Sequence, residues 1–122
     1  MIRYVAIQIL VVDDSPHFRA TAAELLTMRG FELLEQAADG EQALAVAARA
    51  CPDGVLLDVD LPGLDGFEVA ELLAAACPAA RIVLTSAALD YFPTDALKDS
   101  AAIAFLPKHE LAVTDLRALF AA

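Results

Sequence analysis

The chain has 122 residues, enough for one domain with a single core and too few for a two-domain enzyme. It carries 18 acidic and 8 basic residues, and the resulting net charge of -10 argues against a surface that neutralises nucleic-acid phosphates. With 59% hydrophobic residues, the sequence predicts a compact domain rather than a disordered acidic tail.

Short apolar runs alternate with segments of helical periodicity, which predicts βα units around a parallel sheet. The first run, residues 7–12, is followed by Ser15 and Pro16, which favour the start of a helix. That helix is predicted to end at Gly30. Residues 31–38 contain polar side chains, so this strand is predicted at a sheet edge. The apolar face of the first helix comprises Phe18, Ala22, Leu25 and Leu26.

Two capping patterns, Asp39 with Gln42 and Asp65 with Glu68, predict the second and third helices. Each helix should end at a Cys-Pro pair, and residues 55–57 between them predict a short buried strand. The positions predicted to be buried in these helices are Ala43, Leu44 and Ala47, then Val69, Leu72, Leu73 and Ala76.

The last third of the chain predicts two more strands, over residues 82–84 and 103–106, with a short helix after Pro93 that runs through Leu97. A final helix is predicted on its apolar positions Val113, Leu116, Leu119 and Phe120. No repeat or linker divides the chain, so residues 1–122 are expected to form a single domain.

The two cysteines, Cys51 and Cys77, have no metal-ligand spacing and are expected to be free, buried thiols in a reducing cytosol. The start of the chain, residues 1–4 and the apolar run after them, is interpreted as leading into a strand rather than as a signal peptide. No apolar stretch reaches 18 residues, so a cytoplasmic location and no membrane association are expected.

Polar residues follow four of the predicted strands: Asp13 with Asp14, then Asp58, then Thr85 with Ser86, and finally Lys108. In open α/β sheets the site lies at the carboxyl ends of the strands, so these side chains should converge. Clustered carboxylates repel one another, and Mg²⁺ relieves that repulsion while leaving coordination positions for phosphate oxygens. The types of residue therefore indicate a magnesium site that handles a phosphoryl group.

The spacing of these motifs resembles the receiver domains of two-component response regulators. The resemblance covers essentially the whole chain and depends on Asp13-Asp14, residues 58–66 (DVDLPGLDG), residues 85–87 (TSA) and residues 105–108 (FLPK). It implies a flavodoxin-like, doubly wound sheet of five parallel strands in the order 2-1-3-4-5, with helices on both faces.

The resemblance also implies a role for each site residue. Asp58 would accept the phosphoryl group, and Mg²⁺ would be bound by Asp14, supported by Asp13, with Asp58 and the backbone carbonyl of Asp60. Two further residues, Thr85 and Lys108, would bind the phosphoryl oxygens. The switch would pair Thr85 with a rotating aromatic residue, Phe105.

The implied partners are a sensor histidine kinase or phosphotransfer protein as donor and a downstream effector as reader. A homodimer through the face of the fourth helix and fifth strand is also implied. Like other receivers, the chain would catalyse only its own phosphorylation and dephosphorylation.

Two alternatives remain open. Asp58-x-Asp60 after a strand also resembles haloacid-dehalogenase-type phosphohydrolases, although there the motif follows the first strand and the acidic pair would be unexplained. The other alternative is a receiver that binds partners without being phosphorylated, and the complete set of Asp14, Asp58, Thr85 and Lys108 argues against it.

Two positions depart from the family. The glycine usual before the fifth strand is absent from Ala101-Ala102, and His109 replaces the proline that usually follows the lysine. A cis bond before a residue other than proline costs about 2.5 to 4 kcal/mol, so a trans Lys108-His109 bond is predicted, with Lys108 still reaching the site.

Overall fold

A computed structural model describes residues 5–121 and has five strands alternating with five helices. The strands are β1 (Gln8–Val12), β2 (Glu32–Leu33), β3 (Gly54–Asp58), β4 (Arg81–Ser86) and β5 (Ala104–Pro107). The helices are α1 (Pro16–Met28), α2 (Gly40–Arg49), α3 (Gly66–Ala76), α4 (Thr94–Lys98) and α5 (Leu116–Phe120). A 3-10 helix, Lys108–Val113, joins β5 to α5.

The strands form one parallel sheet in the order β2-β1-β3-β4-β5, which confirms the predicted topology. Successive residues of a strand point to opposite faces. In β1, Leu10 and Val12 pack with α2 and α3, whereas Ile9 and Val11 pack with α1 and α5. The central strands are therefore buried on both faces, and their polar residues are confined to the strand ends.

The helix starts follow the predicted capping residues. The Ser15 hydroxyl accepts a hydrogen bond from the Phe18 amide at 3.2 Å, and the Asp65 carboxylate accepts one from the Glu68 amide at 2.9 Å. Asp39 caps α2 through the Gln42 amide at 2.8 Å. These bonds satisfy amides that have no partner within the helix.

Several predicted elements are wrong in extent. Only Glu32–Leu33 pair as β2, and the rest of the predicted edge strand contributes a single bridge at Ala37. Val113 is 85% exposed and belongs to the 3-10 helix, so the last helix begins at Leu116. In α3, Leu72 lies 45% exposed on the outer surface.

The prediction of free cysteines is also wrong. Cys51 and Cys77 form a disulfide, with Cα atoms 5.6 Å apart, and Cys51 is exposed rather than buried. Each cysteine follows the end of a helix, and α2 and α3 pack side by side on one face of the sheet. Equivalent positions in neighbouring βα units thus come within the distance that a disulfide requires.

The residues at the two ends, 1–4 and 122, lie outside the described part of the chain, including the start that was considered as a signal peptide. Within residues 5–121, the helices are too short or too polar to cross a membrane. The same part of the chain contains no cis peptide bond, so the trans Lys108-His109 bond is as predicted.

Candidate functional site

The polar residues converge because the central strands end in register. Asp58, the last residue of β3, pairs with Thr85 of β4, and Val12, directly before Asp13, pairs with Leu57. Asp13 is fully buried, and Asp58 and Thr85 are 4% and 1% exposed. Buried carboxylates are costly unless they are compensated, so this end of the sheet is built for a charged partner.

Lys108 supplies one such partner. Its ammonium Nζ lies 2.6 Å from Asp13 Oδ2 and 3.3 Å from Asp58 Oδ2, and its side chain is only 15% exposed. The lysine is the first residue after β5, so the fifth strand delivers it to the same edge of the sheet. One cation thus sits between two buried carboxylates, which leaves a local excess of negative charge.

Local turns fix the two carboxylates. Asp13 Oδ1 accepts a hydrogen bond from the Ser15 amide at 2.9 Å, and Asp58 Oδ1 accepts one from the Asp60 amide at 3.1 Å. Arg19 donates from Nη1 to the carbonyl of Asp13 at 2.6 Å. Each carboxylate therefore holds one oxygen in its own turn and presents the other toward Lys108.

The third carboxylate, Asp14, is exposed, yet its oxygen lies in a group with those of Asp13 and Asp58 whose members are all within 4.8 Å of one another. Within the described part of the chain, the buried Asp13 Oδ2 accepts no hydrogen bond of regular geometry, although it lies in ion-pair contact with Lys108. Hard oxygen donors with unused lone pairs match the preference of Mg²⁺. The residues present therefore fit a divalent cation.

The electrostatics of the cluster appear in two pKa shifts. Burial raises the pKa of Asp58 above its usual value of 3.8, and the charge of Asp13 raises it further, while the Asp60 amide and Lys108 lower it in part. Burial by itself would lower the pKa of Lys108, but the contacts with Asp13 and Asp58 outweigh burial and raise it. The lysine is charged at neutral pH, and the ionised form of Asp58 is held at a cost.

Thr85 and Phe105 lie beside this cluster on β4 and β5. Thr85 Oγ1 is buried and has no hydrogen-bond partner among residues 5–121. The Phe105 ring is half-buried and meets Tyr91 and Phe92 edge to face, with ring centroids 5.7 and 5.5 Å apart. The two residues predicted as the switch pair are thus a buried threonine, Thr85, and a half-buried phenylalanine, Phe105, packed against two other aromatic rings.

Other residues singled out in the sequence lie apart from the chemistry. Ser86 is buried, but its hydroxyl accepts a hydrogen bond from the Ala88 amide at 3.1 Å. His17 and His109 line an apolar groove between α1 and the 3-10 helix.

A second groove, of about 300 Å³, lies beside the cluster. It is lined by Val59, Asp60, Asp65, Phe67, Ser86, Ala88 and Tyr91.

Sequence reasoning missed two contacts of the site. The Phe18 ring lies under Lys108, with Nζ 4.5 Å from the ring centroid, and Tyr91 and Phe92 pack on Phe105. The only sequence signal for Phe18 was its place on the apolar face of α1. Tyr91 and Phe92 fall between the predicted strand over residues 82–84 and the helix after Pro93, in no predicted element.

Comparison with known proteins identifies the family. A family profile described as the response regulator receiver domain matches residues 9–120. The chain belongs to this family. This match confirms the resemblance to receiver domains of two-component response regulators.

The chain spans only part of the length of a curated relative that it matches. Over 106 residues, 84% of the chain, it is 34% identical to a protein-glutamate methylesterase/protein-glutamine glutaminase of Aliivibrio fischeri. The match spans only 28% of that protein, so the chain corresponds to about a quarter of it.

Two solved structures of response regulator proteins bear on the site. One, TrrA of Thermotoga maritima in complex with Mg²⁺-BeF, is 34% identical with a TM-score of 0.72, covering 82% of this chain and 84% of that one. Another, from Burkholderia pseudomallei with a phosphorylated aspartic acid and a calcium ion, is 28% identical with a TM-score of 0.79, covering 92% of this chain and 65% of that one.

Proposed function

We propose that this receiver accepts a phosphoryl group on Asp58 in a Mg²⁺-dependent reaction and thereby switches a protein-interaction surface. The observation that carries the proposal is the cluster itself. A buried carboxylate at a strand end lies 3.3 Å from a buried lysine and within reach of two further carboxylates. A structural ion pair does not need a third carboxylate beside it, whereas phosphoryl transfer to a carboxylate is favoured by both a metal ion and a side-chain cation that offset the negative charge.

Each residue has a defined part in the reaction. An Asp58 oxygen attacks the phosphorus of the donor, the new P–O bond forms, and the bond to the leaving group breaks. The donor is phosphohistidine on a sensor kinase or phosphotransfer protein, whose imidazole leaves. Lys108 and the Thr85 hydroxyl would contact the oxygens of the transferred group and stabilise its charge.

Asp14, Asp13 and Asp58, with the backbone carbonyl of Asp60, would hold Mg²⁺. The metal, when bound, supplies positive charge that offsets repulsion between the incoming phosphoryl group and these carboxylates. The solved relatives with Mg²⁺-BeF and with a phosphorylated aspartic acid support this assignment by similarity.

The proposed output is a change in the face formed by α4 and β5. Thr85 would move toward the phosphoryl group and Phe105 would turn inward, a shift of a pre-existing equilibrium. Exposed apolar side chains already mark this region, since Leu89, Phe92 and Ile103 are 79%, 63% and 45% exposed. The reader is an effector protein or domain, or a second copy of the chain, in a cytoplasmic pathway.

Intact-mass measurement after incubation with Mg²⁺ and acetyl phosphate tests the proposal. The wild type should gain one phosphoryl group, and Asp58→Asn should gain none. The matched control Asp90→Asn, on an exposed loop, should behave as the wild type. Phosphate uptake by Asp58→Asn would overturn the acceptor assignment, continuous release of phosphate would favour a phosphohydrolase, and an unmodified wild type would favour a phosphate-independent binding module.

A further inference from the structure

The Lys108 ammonium has two kinds of contact, with carboxylates and with an aromatic ring. The carboxylates of Asp13 and Asp58 lie on one side, and the face of the Phe18 ring lies on another, with Nζ 4.5 Å from the ring centroid. This distance is within the range of a cation–π contact. A lysine side chain has a flexible four-carbon stem, so contacts at its end decide where the charge rests.

Phe18 is itself held firmly relative to the acidic cluster. Its amide donates to the Ser15 hydroxyl at 3.2 Å, and the Ser15 amide donates to Asp13 Oδ1 at 2.9 Å. The turn that caps α1 therefore sets the distance between a carboxylate that pairs with Lys108 and the ring that lies against it. One short segment of six residues supplies both contacts.

We propose that Phe18 is a positioning residue for Lys108, whose ring face holds the ammonium beside the phosphoryl-accepting carboxylate. The inference rests on the proposed function of Asp58 as acceptor. A divalent cation competes with Lys108 for carboxylate oxygens, but it does not compete for an aromatic face. The ring is thus the contact that Lys108 keeps when its anionic partners are shared.

Packing alone is the competing explanation, since Phe18 also lines the apolar groove with Leu25 and Leu111. The two roles differ in what they require of the side chain. Packing needs apolar volume, which leucine supplies, whereas holding an ammonium needs a π face, which tyrosine and tryptophan supply.

The test compares Phe18→Leu, Phe18→Tyr and Phe18→Trp with Leu25→Val, a groove variant that leaves the ring in place. The rate of phosphorylation by acetyl phosphate at saturating Mg²⁺ should fall about fivefold in Phe18→Leu, the ratio given by a contact of about 1 kcal/mol. Phe18→Tyr and Phe18→Trp should keep the wild-type rate or exceed it, and Leu25→Val should keep it. A wild-type rate in Phe18→Leu would indicate packing alone and overturn the proposal. Rates as slow in Phe18→Tyr and Phe18→Trp as in Phe18→Leu would also overturn it, because the π face would then have no effect.

A double-mutant cycle shows whether the effect passes through Lys108. In the Lys108→Ala background, Phe18→Leu should cause no further loss of rate. An equal loss with and without Lys108 would overturn the proposal. The NMR resonance of the Lys108 ε-methylene should be shifted upfield by the ring in the wild type and should return to an ordinary value in Phe18→Leu.

The resonance also separates this inference from the proposed function. If the wild type gains no phosphoryl group, the proposed function has failed, and the ε-methylene shift still decides whether the ring holds Lys108. If the wild type is phosphorylated and Phe18→Leu leaves both rate and resonance unchanged, only the positioning role of Phe18 has failed.

Discussion

The ionised carboxylate of Asp58 is held in the folded protein at the expense of stability. It is 4% exposed, and burial together with Asp13 raises its pKa in spite of the Asp60 amide and Lys108. A raised pKa in the folded state means that the folded protein binds the proton more tightly than the unfolded chain. The stability gained from this proton is fully present below the unfolded pKa and is lost as the pH rises through the folded pKa.

Asp58→Asn should therefore raise the free energy of unfolding at neutral pH without divalent cations, because the amide removes an ionised group that is held at a cost. Each kcal/mol gained corresponds to a rise of about 4 °C in Tm for a domain of this size. Thermal melts between pH 3.5 and 8 should show the advantage of the variant growing with pH. An advantage that shrinks as the pH rises would contradict the assigned shift, and Asp90→Asn should not alter the melts.

The predictability of the site residues follows from where they stand in the chain. Asp58, Thr85 and Lys108 could be placed together from sequence because each follows an apolar strand, and parallel strands end at the same edge. Phe18 could not, since its contact with Lys108 depends on the direction of two side chains from elements far apart in the chain. Periodicity identifies the face of a helix but not the partner of each side chain.

Elements that depend on tertiary packing were predicted less well than those with strong local signals. α2 and α3 begin at the capping residues expected, because a cap is formed within four residues. β2 and α5 are shorter than the sequence indicated. The disulfide escaped prediction because it joins two βα units, and spacing along the chain does not give distance across helices.

At the loop between β4 and α4, the edge-to-face contacts of Tyr91 and Phe92 hold Phe105 in its present rotamer. Phe105→Ala should leave the rate of phosphorylation of Asp58 within about twofold of the wild type, since the ring packs on Tyr91 and Phe92 and carries no polar group that could bind a phosphoryl oxygen. A twofold change corresponds to less than about 0.5 kcal/mol. It should remove most of the change in near-ultraviolet circular dichroism that acetyl phosphate produces in the Tyr91 region. Equal losses of phosphorylation and of the spectral change would contradict a switch role.

The disulfide should make the β3–α3 unit a redox-dependent part of the fold. It spans a sequence separation of 26 residues that includes Asp58, and closing a loop of this size stabilises a protein by about 3 kcal/mol. Reduction with dithiothreitol should lower the free energy of unfolding by about that amount, as measured by urea denaturation.

Cys51→Ser is the matched control for reduction. It lacks the disulfide, so its stability should equal that of the reduced wild type and should not respond to dithiothreitol. Loss of stability on reduction in both proteins would show that the reductant acts elsewhere. Identical stability of oxidised and reduced wild type would contradict the effect assigned to the disulfide.

At the scale of the whole molecule, the net charge and the local charges at the site have opposite effects on an anionic ligand. On the proposed function, a net charge of -10 would repel a phosphorylated donor over long range, while Lys108 and a bound Mg²⁺ would attract the phosphoryl group at short range. A doubly wound sheet brings the carboxyl ends of its central strands to one crevice. It thereby places the carboxylates of Asp13, Asp14 and Asp58 together. This edge of the sheet therefore carries more negative charge than Lys108 offsets, and a divalent cation would balance the excess.

Mg²⁺ should accordingly stabilise the whole domain. A cation that binds only the folded state at about 100 times its Kd adds roughly 2.7 kcal/mol, which corresponds to a rise of about 10 °C in Tm. Asp14→Ala is the informative variant, because Asp14 is exposed and its loss leaves the core intact while removing one of the three carboxylates. Thermal melts in millimolar Mg²⁺ should show a large rise for the wild type and a small one for Asp14→Ala, with Na⁺ at equal ionic strength as the reference. A rise of the same size in both proteins would mean that the cation acts by screening the net charge, and the acidic cluster would then not be a metal site.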